Sequence, residues 1–290
     1  MQETKELNAL FTLIDDPDEE VYTSVTDRIL DYGKPIIPNL EHLWENTPNE
    51  DIQERIEMII HRLHFRDLSE DLMAWKDSPY HDLLLGALLV CKYQYPDLQT
   101  APCIQDLEKI KRNVWLELNQ YLTPLEQANV LSSIVYNYYQ LKAVEPDHTQ
   151  PDAFFLHKVL ETKKGSALCN GILYQILCEQ LDISARLVSI PRQCLIAFFH
   201  HDYDDVTDAG HPQERIQFYV DAQTGQAYSI QDVENYLKRL ALPHLPEYFR
   251  PIPAVQLVQR LLEELTLCFE RPDHWYKKEE LTLLVQRLKD

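Results

Sequence analysis

The sequence predicts an α+β protein that is mostly helical, and three observations carry that expectation. Apolar residues recur at helical spacing through the first half of the 290-residue chain and again at its end. Three strand-length runs rich in β-branched and aromatic residues cluster between residues 185 and 220. Immediately before them stands a segment that is apolar on nearly every face, which marks a helix enclosed by the rest of its domain.

From the N-terminus, Pro17-Asp18-Glu19-Glu20-Val21 is echoed by Pro48-Asn49-Glu50-Asp51-Ile52. Val21, Val25 and Ile29 are answered by Ile52, Ile56 and Ile60, so residues 1–75 read as stacked helical repeats similar to the HEAT type. Between the copies, Gly33 stops one helix, and Pro35 and Pro38 start the next. Helical patterning continues over residues 83–139, with Thr123-Pro124 opening its last segment. The stretch EPDHTQPD is a loop, followed by a short helical segment at 154–161 and the enclosed helix at 167–181, whose wet side is Gln175, Glu179 and Gln180.

Strands are expected at 185–190, 194–199 and 215–220, with the acidic insert HDYDDVTDAGHPQE between the last two. Gly225 closes a turn before a helix at 230–240, and residues 254–268 and 274–288 read as an antiparallel helical pair. The expected organisation is therefore helical repeats at 1–75, an α+β core with its preceding helices at 80–245, and a C-terminal helical hairpin at 250–290.

With 47 acidic against 27 basic residues, the net charge of -20 repels phosphate backbones and anionic lipid, so neither nucleic acid nor membrane is an expected partner. No apolar run reaches the length of a span and the first residues lack a leader pattern, which makes the expected location cytoplasmic. Six dispersed cysteines read as reduced, mostly buried thiols rather than a disulfide framework or zinc site. Only 6 glycines, in neither of the phosphate-binding patterns, imply no nucleotide and no other cofactor. His200-His201 with Asp202, Asp204, Asp205 and Asp208 reads as a solvated turn rather than a metal site. Trp44, Trp75, Trp115 and Trp275 read mostly as core and interhelix packing.

From Val130 to Leu288 the chain resembles the SirB-type branch of the transglutaminase-like superfamily, found beside helical repeats in bacterial proteins. The resemblance lies in Lys163-Lys164-Gly165 before the central helix, Ile172-Leu173-Tyr174, Leu181-Asp182-Ile183, Ile190-Pro191, and Tyr219-Val220-Asp221 ahead of Gly225. It implies a papain-like core. Active members of the superfamily place a Cys at the helix start, a His at the head of a strand and an Asp on the next, because a thiolate must form, an imidazole must take its proton, and a carboxylate must orient the ring. On these motifs the nucleophile position falls on Ala167, the His position on Gln193 and the Asp position on Asp221. Glutamine takes no proton at neutral pH, so the core reads as degenerate.

Ala167, Gln193 and Asp221 are thus the expected cleft residues. Cys169 is a small buried side chain in this reading; the alternative makes it a relocated nucleophile of a hydrolase or acyltransferase, assisted by His157, His200 or His201, with Asp221 as the remaining triad member. Cys194 is expected on the sheet face opposite Gln193. The resulting expectation is a non-catalytic module that binds a protein or peptide, or regulates one through its repeats.

Overall fold

The computed structural model describes residues 2–145, 147–204, 211–270 and 275–289, with side chains left aside at 2–5 and 8. Backbone contacts divide the chain into two compact units, residues 1–74 and 75–290.

The first unit holds α1 (Gln2–Leu13), α2 (Glu19–Leu30), a 3-10 turn at Lys34–Ile36, α3 (Ile37–Asn46) and all but the end of α4 (Glu50–Lys76). Asp18 starts α2 because its carboxylate accepts from the Glu20 amide at 2.9 Å, answering one of the donors that a helix start leaves free. The sequence echo becomes a shared core: Val25 and Ile29 of α2 pack with Ile37 and Leu40 of α3 and with Ile56, Ile59 and Leu63 of α4. Each such side chain contributes roughly 1.5–3 kcal/mol by leaving water. Arg55 fastens α4 to the loop after α1, donating to the carbonyls of Ile14 and Asp16 at 3.0 and 2.8 Å.

In the second unit α5 (Leu83–Gln94) and α6 (Thr100–Glu117) precede α7 (Pro124–Ser132), which runs directly into a π-helical turn at Ser133–Tyr138. A two-residue strand β1 (Lys142–Ala143) pairs in parallel with β2 (Lys164–Gly165), and α8 (Leu156–Thr162) lies between them in the chain. Next come α9 (Ala167–Gln180), then β3 (Ala185–Val188), β4 (Leu195–Phe199), β5 (Ile216–Asp221) and β6 (Ala227–Tyr228), which form one antiparallel sheet in that order. The chain continues with α10 (Ile230–Arg239) and the C-terminal pair α11 (Ala254–Cys268) and α12 (Trp275–Lys289). The architecture is therefore mostly helical with a small antiparallel sheet and a C-terminal helical pair. Among the described residues no helix is long and apolar enough to cross a membrane.

The π-helical turn and the strands β1, β2 and β6 have no counterpart in the sequence reading, because a two-residue strand is too short to show a period. Every residue from Cys169 to Cys178 of α9 is buried, Gln175 included. Gln175 was expected on the wet side; instead its Oε1 accepts from the Leu187 amide of β3 at 2.8 Å, so a buried strand donor holds it inside. Trp75 is buried and Trp44 half-buried, but Trp115 and Trp275 are exposed on helix surfaces, against the packing expected of them.

Candidate functional site

The first turn of α9 forms one wall of a cleft of about 690 Å³. Ser166 starts the helix: its hydroxyl accepts from the Cys169 amide at 3.2 Å and its own amide donates to the Ala153 carbonyl at 2.9 Å. The amides of Ala167 and Leu168 are left without an intrahelical acceptor, and both residues line the cleft at the positive end of the helix dipole.

The opposite wall is the turn at residues 189–194 between β3 and β4. Arg192 adopts φ +61° at its tip, and the Gln193 amide donates to the Ile190 carbonyl at 3.1 Å. The turn is held from several sides. Tyr236 Oη donates to the Pro191 carbonyl at 2.9 Å, Arg260 Nη2 of α11 donates to Ser189 Oγ at 3.0 Å, and the Ala222 amide donates to the Cys194 carbonyl at 3.0 Å. Cys194 Sγ closes the gap to the helix, donating to the Ala167 carbonyl at 3.2 Å. Gln193 and Cys194 both line the cleft, so the expected opposite facing of these two does not hold. The physical reason is that β4 begins at Leu195; residues 193 and 194 belong to the turn, where strand alternation has no force.

Asp221 ends β5 next to this wall, paired in register with Leu195. Its carboxylate is turned into its own loop, accepting from the Gln223 amide and from Thr224 Oγ1, each at 2.9 Å. Gln223 reaches the cleft from the same loop.

Cys169 points elsewhere. It is fully buried, and burial pushes its thiol well above the ordinary cysteine range, with nearby Cys91 adding to the effect. The Cys194 thiol is pushed up to about 12, first by burial and then by the charge of Asp221. Both sulfurs are therefore neutral thiols at physiological pH, poor nucleophiles in that form. His200 follows β4 at its far end, about 20 Å of strand away from Cys194, and is exposed. His201 is exposed beside it. His157 is buried against the rings of Tyr95 and Phe155, with centroids at 4.6 and 6.0 Å, and burial lowers its pKa. Asp202 is paired with Arg215 at 2.7 Å, while Asp205 and Asp208 lie outside the described residues. Among the described residues no group of His, Cys, Asp and Glu could hold a metal ion.

Two features escaped the sequence. His148, in the segment read as a loop, shares a 3.0 Å contact between Nε2 and Oε2 of Glu264, and stacks on Phe154 at 5.9 Å. Glu264 and Phe154 both line the cleft, so the pair sits at its rim. Asn170 of α9 is fully buried beneath the first turn, and among the described residues its amide group finds no hydrogen-bond partner. A lone His or Asn in a sequence carries no spacing that marks either role.

The family model described as the transglutaminase-like superfamily matches residues 101–263, which include this helix start, the facing turn and Asp221. The chain belongs to the transglutaminase-like superfamily. The UPF0162 protein YchA of Escherichia coli (strain K12) is 26% identical over 111 residues, which cover 38% of this chain and 41% of that protein. The protein of the same name from Escherichia coli O157:H7 gives the same figures. The match thus spans less than half the length of these relatives. No solved structure matches the chain. In this transglutaminase-like core the cleft is lined by the Cys194 thiol and by ionic side chains, among them Arg260, Arg192 and Glu247.

Proposed function

We propose that this chain is a SirB-type transglutaminase-like protein whose cleft binds a protein or peptide segment without transforming it, in the cytoplasm, and that its first unit is a pair of HEAT-like repeats. The observation that carries the reading is Ala167: a side chain with no reactive group stands half-buried at the start of α9 and lines the cleft together with Gln193. The thiol nearest in the helix, Cys169, is enclosed and raised in pKa, and Asp221 is engaged by its own loop. The walls of the cleft are nonetheless open and lined by polar side chains, which suits recognition of a peptide.

Binding of wild-type protein and of Ala167→Trp to a peptide array tests the proposal. Wild type should retain a defined set of peptides, and the indole, which fills the cleft, should abolish retention. Iodoacetamide labelling followed by peptide mass spectrometry is the complementary measurement, and Cys169 should stay unlabelled until the protein unfolds. Hydrolysis or cross-linking of peptide amides by wild type, lost in Cys169→Ala, would overturn the proposal in favour of a cysteine-dependent hydrolase or acyltransferase.

A further inference from the structure

Arg260 and Glu264 stand about one helical turn apart on α11, and both line the cleft. Opposite charges at this spacing are within reach of each other. Here each is engaged elsewhere. Glu264 is taken by His148, whose Nε2 lies 3.0 Å from Oε2 of the carboxylate, while Arg260 reaches the turn between β3 and β4, where its Nη2 donates to Ser189 Oγ at 3.0 Å. The Phe154 ring, stacked on the imidazole with the two planes 12° apart, holds His148 in place for this contact.

The consequence is a guanidinium on the cleft wall without a carboxylate. Arg260 is half-buried, and among the described residues its hydrogen-bond acceptor is a neutral hydroxyl. A guanidinium carries several N–H donors and keeps its charge at every physiological pH, so most of its binding capacity is left over. A charge partly withdrawn from water is costly until it is paired. Arg192 lines the same cleft from the tip of the turn and has no ion pair among the described residues. The other charged side chain on the walls is Glu247, which is exposed, so water weakens its opposition. With Glu264 occupied by His148, the ionic groups of the cleft that remain unengaged favour an anion.

We propose that the cleft binds its peptide through a carboxylate seated on Arg260, and that the His148–Glu264 pair keeps this seat open by holding Glu264 off Arg260. The inference rests on the reading of the cleft as a peptide-binding site and names what that site selects. The planar fork of a guanidinium matches the two oxygens of a carboxylate, which is the partner that Arg260 lacks. The carboxylate belongs to an Asp or Glu side chain or to a C-terminus. His148 acts through Glu264 and is therefore a positioning residue: without it Glu264 is free to swing to Arg260 and fill the seat from within.

The test uses the full-length protein and the array peptides that wild type retains, attached through their N-termini so that both sources of carboxylate are free. Each is remade with an N-terminal fluorescein in three forms: unchanged, amidated at the C-terminus, and with Asn and Gln in place of Asp and Glu. In fluorescence anisotropy the unchanged form should bind saturably, and one or both altered forms about tenfold more weakly, which identifies the source of the carboxylate. Arg260→Gln should weaken the unchanged form by about the same factor and add little to the loss in the altered one. His148→Ala should also weaken binding, by about fivefold, and its combination with Glu264→Gln should restore it. A merely structural role for His148 would not give that rescue. Glu247→Gln, which removes the opposing charge, should tighten binding. Unchanged circular dichroism and melting show that each variant folds. If no peptide is retained, or if Ala167→Trp leaves retention intact, the reading of the cleft fails and this inference falls with it. The inference alone fails if peptides are retained but both altered forms bind as the unchanged one does, if Arg260→Gln or His148→Ala has no effect, if Glu264→Gln gives no rescue, or if Glu247→Gln weakens binding.

Discussion

His157 is held neutral by its surroundings: aromatic rings enclose it, neither ring nitrogen has a hydrogen-bond partner among the described residues, and burial lowers its pKa from the ordinary 6.5. The sign of the resulting pH effect follows from linkage. Below about 6.5 the unfolded imidazole takes a proton that the folded one refuses, so the unfolded state is favoured as pH falls toward the lowered folded value. The stability contributed by a neutral His157 is complete above about pH 6.5 and declines below it. The urea midpoint should fall between about pH 6.5 and pH 5, and His157→Phe should flatten that slope relative to wild type. An unchanged slope in the variant would show that His157 stays uncharged in both states or titrates alike in both. Cys169 and Cys194 obey the same rule with the opposite sign, since burial favours the neutral form of a thiol by raising its pKa.

At the scale of elements, the loop from β5 to β6 shows how one glycine sets the edge of the cleft. Gly225 adopts φ +73°, and a Cβ there would come within 2.3 Å of the Tyr136 ring. That ring is held in place because Tyr136 Oη donates to the Ala222 carbonyl at 2.9 Å. Gly225→Ala combines backbone strain with a clash against a tied aromatic ring, and should cost about 2–3 kcal/mol in chemical unfolding. The same change should loosen the Asp221 loop and with it Gln223 on the cleft wall. A loss under about 0.5 kcal/mol would mean that the ring and loop move apart freely.

For the molecule as a whole, the dominant quantity is the net charge of -20. Carboxylates spread over the surface repel one another and destabilise the compact state, and salt screens them, with the Debye length shrinking from about 10 Å at 0.1 M to about 3 Å at 1 M. Raising sodium chloride over this range should lift Tm by about 2–4 °C, corresponding to about 1 kcal/mol for a protein of this size. A fall in Tm would show that specific ion pairs, such as Lys34 with Asp67 at 2.7 Å, outweigh the general repulsion. Measurement of both units by hydrogen exchange would assign the gain to each, since residues 1–74 carry their own core around Ile29, Leu40 and Ile59.

The helices, their order and the position of the sheet could be read from the chain because each long element repeats its own period. Ala254–Cys268 is helical over the whole stretch expected, and α9 ends within a residue of its expected limit. Ala167, Gln193 and Asp221, the expected cleft residues, stand at the start of α9, in the turn before β4 and at the end of β5. Short-range bonds alone decide such features. What they leave open is where a side chain ends up once segments distant in sequence have packed. The burial of Cys169 was already expected from its place on an enclosed helix, whereas only the tertiary structure placed Cys194 in the cleft and brought His148 to Glu264 across 116 positions of chain. It alone moved Gln175 from an expected wet face to the buried edge of β3. Burial and partnership arise from contacts between remote segments, and no local pattern encodes them.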